Sequence, residues 1–339
     1  MEASDVLLEV RNLETSFFSR EGRLRAVEGV SFTVRKGEVL GIIGESGCGK
    51  SVTAQSILRI VPANGKIVGG EILFHRDGEV IDLAKLDPKG KEIRSIRGKE
   101  ISMVFQEPMT SFHPVYTIGN QIMEVIRLHQ GCDRTEARAR ALEILTRVEM
   151  PNPEQQIDAY PFNLSGGMRQ RAMIAMALAC RPRLLIADEP TSAVDVTIQA
   201  QIIQHLIRLQ RELGMAVMMI THDLGVVAET ADSLMIMYLG ENVEYGPIEA
   251  IFEDPKHPYT RGLLQSVPRL GKRAKQDLNP IKGSVPSLYE RPDGCPFHPR
   301  CPSFMPGVCD RGVPRVAEVA PGRQVRCFLY DERPKVEGR

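Results

Sequence analysis

The segment GESGCGKS, at positions 44–51, carries the residue types of a phosphate-binding loop. It follows the apolar run Val39–Ile43, which predicts a buried strand, and precedes residues 52–58, which predict a helix. In this setting glycines permit a tight turn whose N–H groups face phosphate oxygens, and the helix N-terminus adds partial positive charge. We therefore expect Lys50 to reach the β- and γ-phosphates of a nucleotide and the Ser51 hydroxyl to bind Mg²⁺. The loop residues assigned to the nucleotide are Gly44, Glu45, Ser46, Gly47, Cys48, Gly49, Lys50 and Ser51.

Polar side chains also stand where other apolar runs end. Gln106, Asp188, Glu189 and His222 each follow a short run that predicts a buried strand, and the carboxyl ends of parallel strands gather ligands. Asp188 is predicted to contact Mg²⁺ directly or through one of its ligands, and Glu189 to act as general base for the attacking water. Gln106 is predicted to contact both Mg²⁺ and that water. His222 is predicted to hydrogen-bond the γ-phosphate. Each residue alone is equally typical of a turn or a structural position, but the set favours nucleotide hydrolysis.

A second glycine-containing segment, LSGGM at positions 164–168, precedes an apolar helix. Ser165, Gly166 and Gly167 at a helix start form a further anion cradle, because the N-terminal dipole favours negative charge. One nucleotide has little need of two cradles in one chain. Two chains that face head to tail would use both, so the pattern predicts that each chain completes the site of the other.

Composition limits the classes of function. The chain has 339 residues, 42% of them hydrophobic and 25% charged, which is typical of a globular protein with more than one domain. Lysine plus arginine equal aspartate plus glutamate, at 43 each, which argues against a general electrostatic hold on nucleic acid. No apolar run has the length of a membrane span, and residues 1–10 lack the layout of a signal peptide. We therefore expect a cytosolic chain.

The order of the predicted elements indicates an α/β fold. Apolar strand runs alternate with helical patterns, which favours a mostly parallel sheet covered on both faces. Residues 117–150 read as helical, and Asp133 with Glu136 predicts a helix N-terminus between them. This stretch is interpreted as a helical insert. Phe17 or Phe18, just before a loop, offers a ring for adenine stacking, although a core or edge-strand position is equally consistent with either.

Beyond residue 254, prolines recur and apolar periodicity fades, which predicts a second, loop-rich region. Four of the seven cysteines lie there: Cys295, Cys301, Cys309 and Cys327. In a reducing compartment such a cluster favours metal over disulfides. Four thiolates suit zinc or a 4Fe–4S cluster, and free thiols are the third alternative. The spacing alone does not decide between them.

Together these motifs resemble the ATP-binding subunits of ABC transporters. The phosphate loop, Gln106, LSGGM, the acid pair at 188–189, SAVD at 192–195 and His222 occur in that family's order. The resemblance implies a RecA-like parallel sheet core with an antiparallel β subdomain and a helical subdomain at about 107–180, all within residues 1–265. It also implies that two subunits enclose two ATP molecules, that Phe17 stacks on adenine, and that Asp195 belongs to a segment contacting the partner cassette.

A narrower resemblance is to the dipeptide and oligopeptide importer branch, carried by residues 106–122 and 173–203, by HPYTRGLL at 257–264 and by the tail GCPFHPRCP. It implies an ATPase that powers peptide import, and a C-terminal extension, 266–339, whose four cysteines bind an iron–sulfur cluster, with zinc as alternative. Implied partners are a second, different ATP-binding subunit, two permease subunits and, indirectly, an extracytoplasmic peptide-binding protein, at the cytoplasmic face of the inner membrane. Phe112-His113 and Val194 depart from that branch's pattern.

Soluble ABC ATPases of DNA repair or translation usually carry long coiled-coil insertions or two cassettes, whereas this chain has one cassette, a short insert and neutral charge. Near relatives of the branch carry nickel or glutathione, so cargo stays open. A cassette that binds ATP without cleaving it is disfavoured, because Lys50, Glu189 and His222 are all present.

Overall fold

A computed structural model describes residues 5–20, 22–106, 111–191, 196–266 and 281–331, apart from the side chains of 196 and 197. The chain divides into two compact units. The first contains the described residues of Met1–Leu8, Val34–Val39 and Phe74–Thr221. The second contains those of Glu9–Thr33, Leu40–Leu73 and His222–Arg339.

The strands are β1 (Val6–Ser19), β2 (Gly22–Arg35), β3 (Val39–Ile43), β4 (Gly65–Arg76), β5 (Glu79–Asp82), β6 (Ile101–Val104), β7 (Leu184–Asp188), β8 (Ala216–Ile220), β9 (Ser233–Tyr238), β10 (Glu241–Pro247), β11 (Val316–Ala320) and β12 (Arg323–Arg326). The helices are α1 (Lys50–Ile57), α2 (Lys91–Ile96), α3 (Ile118–Gln130), α4 (Arg134–Arg147), α5 (Pro153–Gln156), α6 (Gly166–Leu178), α7 (Val196–Leu213), α8 (Leu224–Thr230), α9 (Ile248–Glu253) and α10 (Pro258–Gln265).

In the first unit, β6, β7 and β8 form a parallel sheet. Ile101 pairs with Leu184, and Leu184 in turn with Ala216. Every residue of these three strands is buried, as expected of parallel strands covered on both faces. The one hydroxyl within β6 is satisfied, because Ser102 donates to the carbonyl of Ala177 at 2.7 Å. The carboxyl ends of β6 and β7 lead directly to Gln106 and Glu189.

The helices of the first unit show a buried apolar face and the N-cap that the sequence predicts at Asp133. α3 packs against α4 and α6, and it buries Ile118, Ile122 and Ile126 on one face. The side chain of Asp133 accepts a hydrogen bond from the N–H of Glu136 at 2.9 Å, so it caps α4 as its position in the sequence indicates.

In the second unit, β3 lies parallel to β9, and the three pairings that follow from β9 to β11 are antiparallel. β9 pairs with β10, β10 with β12, and β12 with β11. Tyr245 of β10 lies opposite Gln324 of β12. The C-terminal hairpin β11–β12 thus extends the sheet that contains β3 and β9. The sequence of this loop-rich region does not predict that pairing. Residues of β2, β1 and β4 form a separate sheet in that order.

The C-terminal residues share a hydrophobic core with the strands of the second unit. Phe297 is 2% exposed and lies with Tyr238 and Tyr259, at ring-centroid distances of 5.3 Å from each. Cys295 and Cys309 belong to the same core. The predicted separate cysteine domain is therefore not confirmed. Among helices of the described ranges, none has both the length and the apolar character to cross a membrane.

His257 gives the second unit a pH-dependent stability. Its ring is 1% exposed, Nδ1 accepts from the N–H of Tyr259 at 3.0 Å, and burial, with a smaller effect of Arg261, lowers its pKa from 6.5 to about 3. Between these values the unfolded chain binds a proton that the folded chain does not, so stability present above pH 6.5 is lost as the pH falls toward 3.

We predict that His257→Asn, which keeps an acceptor for Tyr259, flattens this dependence by up to about 1.4 kcal/mol per pH unit. Urea unfolding at a series of pH values between 6.5 and 4.5 measures the slope. His113→Asn, at an exposed position, is the matched control and keeps the wild-type slope. Equal slopes for His257→Asn and wild type would contradict the prediction.

Candidate nucleotide-binding and hydrolysis site

The phosphate loop lies between β3 and α1, as predicted, and its backbone admits only glycine at two positions. Gly49, the N-cap of α1, has a φ of 103°, and a Cβ there would collide with the carbonyl oxygen of Ala26. A Cβ at Gly44 would collide with the carbonyl oxygen of Met237. The loop is therefore a close-packed turn whose shape is set by backbone approach, as a backbone cradle for phosphate requires.

Lys50 is held inside this loop. Its ammonium group donates to the carbonyl oxygens of Gly44 at 2.8 Å and Glu45 at 3.2 Å, and it lies 3.8 Å from the sulfur of Cys48. The residue is 6% exposed. Burial raises the pKa of the Cys48 thiol, which is therefore neutral at physiological pH. The loop thus carries the Lys50 ammonium and backbone N–H groups, which complement the negative charges of a polyphosphate chain. Ser51 follows in the first turn of α1.

In the first unit, two of the predicted catalytic side chains meet. Gln106 Nε2 donates to Glu189 Oε2 at 2.8 Å. Glu189 has a φ of 46°, a conformation that costs a non-glycine residue about 1–3 kcal/mol. Its N–H donates to the carbonyl of Ile220 at 2.9 Å, which fixes this backbone turn. Asp188, the last residue of β7, is buried at 3% exposure.

The LSGGM segment presents its polar atoms to solvent. Ser165 caps α6, its hydroxyl accepting from the N–H of Met168 at 3.3 Å, and both Ser165 and Gly166 are exposed. Leu164 is buried and the Arg169 side chain donates to the carbonyl of Pro161 at 2.8 Å, so the turn before the helix is anchored. The N-terminus of α6 is accordingly accessible to an anion from outside the chain.

The remaining predicted residues are placed individually. His222 is exposed and follows β8 by two residues. Phe17 is half-buried near the end of β1, where its ring lies so close to Gly65 that a Cβ there would come within 2.8 Å. Phe18 is exposed. Asp195, like Val194, falls outside the described residues. The roles assigned to these residues stay predictions.

Sequence reasoning missed two side chains that contact the phosphate loop. The buried Tyr259 hydroxyl accepts from the N–H of Glu45 at 3.1 Å. Arg300 donates to both carboxylate oxygens of Glu45, at 2.7 Å and 3.0 Å. Both residues lie in phrases that carry the narrower resemblance, HPYTRGLL and GCPFHPRCP, and these phrases are the signal that points to them.

The predicted metal site at Cys295, Cys301, Cys309 and Cys327 is wrong. Over residues 281–331 and the other described ranges, no group of three or more His, Cys, Asp or Glu side chains is placed to hold a metal ion. Burial raises the pKa of Cys295 to about 12 and that of Cys327 to about 11, so the free thiols are protonated at physiological pH. The lack of a metal-holding group in the described ranges overturns the iron–sulfur prediction and its zinc alternative.

Comparison with known proteins places the chain in a family. Residues 27–192 match the ABC transporter family, and residues 243–309 match the C-terminal region of oligopeptide/dipeptide transporters. A probable peptide ABC transporter ATP-binding protein, y4tR of Sinorhizobium fredii, is 50% identical over 97% of this chain and 96% of its own length. The dipeptide transport ATP-binding protein DppD of Bacillus subtilis is 48% identical, with 96% of each chain covered.

A solved structure supports the fold. The dimeric, post-hydrolysis state of the ATP-binding cassette MJ0796, bound to ADP and Pi, superposes with a TM-score of 0.63 at 29% identity, covering 71% of this chain and 99% of that one. The chain therefore belongs to the ABC transporter ATP-binding proteins. The recognised family, the ABC ATPase fold and the predicted ATPase activity are confirmed.

We predict that Gly49→Ala lowers ATP affinity by more than about a hundredfold, because the loop must move to relieve a backbone collision added to a left-handed φ. Gly37→Ala is the matched control: its φ is 70°, but nothing lies within 4 Å of the added Cβ. It is expected to lower stability by about 1–2 kcal/mol while keeping ATP affinity. Equilibrium binding of a fluorescent ATP analogue measures both variants, and equal affinities would contradict the prediction.

Proposed function

We propose that this chain is the ATP-hydrolysing subunit of an importer of dipeptides or oligopeptides. The observation that carries the hydrolytic part is the 2.8 Å hydrogen bond from Gln106 to Glu189, which orients a carboxylate beyond a buried strand end. The peptide cargo is supported by the C-terminal match at residues 243–309 and by relatives named for peptide and dipeptide transport. The alternative of a soluble ABC ATPase in repair or translation is not favoured by that match.

The proposed mechanism assigns one task to each group. Lys50 and the loop N–H groups bind the β- and γ-phosphates of the substrate ATP. Glu189 accepts a proton from the attacking water while Gln106 holds the carboxylate in position. The water oxygen bonds to the γ-phosphorus, the bond from the γ-phosphorus to the bridging oxygen breaks, and ADP and phosphate leave. His222 contacts the γ-phosphate, and Phe17 supports the adenine.

Magnesium fits the donor chemistry of the proposed residues. A serine hydroxyl at the start of a helix, a buried aspartate and an amide are oxygen donors, the type that Mg²⁺ prefers. We propose Ser51, Asp188 and Gln106 for this role. When bound, Mg²⁺ neutralises phosphate charge and aligns the γ-phosphoryl group.

We further propose that the exposed start of α6 serves a second ATP-binding subunit. Ser165, Gly166 and Gly167 would contact the γ-phosphate of the partner's ATP, and Asp195 would lie in the segment facing that partner. The partner is proposed to be a different chain, associated with two permease subunits and indirectly with an extracytoplasmic peptide-binding protein, at the cytoplasmic face of the inner membrane. The nucleotide-binding domain is proposed at residues 1–265 and the C-terminal extension at 266–339.

We predict that Glu189→Gln keeps ATP binding and lowers turnover by about a hundredfold or more, because the amide cannot accept the proton of water. Phosphate release under saturating ATP measures turnover, and equilibrium dialysis measures binding. Glu212→Gln, in the exposed last turn of α7, is the matched control with unchanged turnover. Near-normal hydrolysis by Glu189→Gln would remove Glu189 from the mechanism.

Cargo is tested in proteoliposomes that contain the complex co-purified after mild membrane solubilisation. Uptake of a labelled dipeptide that requires ATP and is lost with Glu189→Gln is the expected result. Uptake of nickel or glutathione, without dipeptide uptake, would overturn the cargo proposal while leaving the ATPase assignment intact.

A further inference from the structure

A glutamate in a phosphate-binding loop is electrostatically unfavourable unless its charge is compensated. Glu45 directly follows Gly44, and its side chain is half-buried, at 26% exposure, so solvent screens its charge only in part. A carboxylate in this position repels the negative charges of a bound polyphosphate, and the repulsion is stronger at partial burial than in bulk water. The loop therefore needs a cation that holds this carboxylate.

Arg300 supplies that cation from the C-terminal region. Its two terminal nitrogens donate to the two oxygens of Glu45 at 2.7 Å and 3.0 Å, a bidentate pair that combines charge with fixed geometry. The Arg300 side chain is 5% exposed. The hydrogen bond to Glu45 raises the pKa of Arg300 above its already high ordinary value, so the guanidinium stays charged.

Two further donors of Arg300 are engaged, which restricts the guanidinium before any ligand arrives. Its Nε donates to the carbonyl of Lys282 at 3.2 Å, and one terminal nitrogen lies 3.4 Å from the Tyr238 hydroxyl. The turn that carries Arg300, His298–Arg300, follows Phe297, which is packed in the core of the unit. Because these contacts already order the Arg300 side chain, holding the Glu45 carboxylate costs it little further conformational entropy.

Glu45 is held through its backbone as well. Its N–H donates to the Tyr259 hydroxyl at 3.1 Å, and its carbonyl accepts from Lys50 at 3.2 Å. Tyr259 is buried and packs against Tyr238, at a centroid distance of 4.8 Å. The side chain and N–H of Glu45 are thus both held by residues that lie more than 200 positions along the chain, outside the loop motif itself.

We infer that Arg300 is a positioning residue for ATP binding: it neutralises the carboxylate of Glu45 and holds it away from the phosphates, so that the C-terminal region sets the affinity of the phosphate loop. The inference rests on the proposed binding of ATP by this loop. Nucleotide affinity then depends on Arg300, a residue outside the ATP-binding motifs, because Arg300 controls the charge and position of the Glu45 carboxylate.

The test is a double-variant cycle on MgATP binding. Arg300→Gln is expected to raise the dissociation constant about tenfold, because an uncompensated carboxylate then faces the phosphates. Arg300→Lys, which keeps the charge and loses the bidentate geometry, should fall between wild type and Arg300→Gln. In Glu45→Gln/Arg300→Gln both charges are gone, and the dissociation constant should return to within about threefold of that of Glu45→Gln alone.

Two readouts separate this role from a merely structural one. Because the defect of Arg300→Gln is repulsive, it should be larger for ATP than for ADP and should shrink as salt rises. At saturating ATP, turnover should stay near that of wild type, so the change falls on KM and spares kcat. A loosened fold would instead weaken all nucleotides alike, whatever the salt concentration.

Arg326→Gln is the matched control, because Arg326 also comes from the C-terminal region and pairs with a buried glutamate, Glu241, at 3.4 Å. It removes a comparable ion pair outside the phosphate loop and should leave MgATP affinity unchanged. Unchanged affinity in Arg300→Gln, or a defect that Glu45→Gln does not relieve, would overturn the inference. Failure of the wild-type chain to bind ATP would instead overturn the proposed function.

Discussion

A carboxylate removed from water is costly unless a cation accompanies it, and the second compact unit meets this constraint with arginines from residues 281–331. The pairs are Arg291 and Arg326 with Glu241, Arg323 with Glu244, and Arg300 with Glu45. Removing one partner of a buried pair costs about 3–5 kcal/mol, because the other charge stays buried. These pairs therefore bind residues 281–331, whose sequence lacks the apolar periodicity of the strands, to specific positions in the second unit.

One of these carboxylates links the C-terminal hairpin to the phosphate loop by a continuous set of contacts. Glu244, paired with Arg323, also accepts from the N–H of His257 at 2.8 Å. The ring of His257 accepts from the N–H of Tyr259, whose hydroxyl accepts from the N–H of Glu45. Each group in this series is buried or half-buried, so each fixes the position of the next. The location of the loop is thus determined by tertiary contacts as well as by the strand and helix that flank it.

The parts of the fold that sequence predicted are those whose cause is local. The phosphate loop, the cap at Asp133 and the buried strands follow from spacing within a few residues, and the structure has them. The bond between Arg300 and Glu45 spans 255 positions and leaves no periodic trace, so sequence pattern alone could not reveal it. The cysteine site failed for a related reason. Closeness in sequence does not establish a metal-binding arrangement: Cys295 and Cys309 lie in the hydrophobic core, and the described residues contain no group placed to hold a metal ion.

The electrostatics of the phosphate loop therefore have two sources. The motif supplies the attractive part, the N–H groups, the start of α1 and the ammonium of Lys50, and any chain with these residues in this order would have it. The repulsive part is removed by the surroundings, since burial keeps the Cys48 thiol neutral and Arg300 pairs with Glu45. A motif thus identifies which ligand a loop accepts, whereas the affinity for that ligand depends on charges that only the folded chain brings into place.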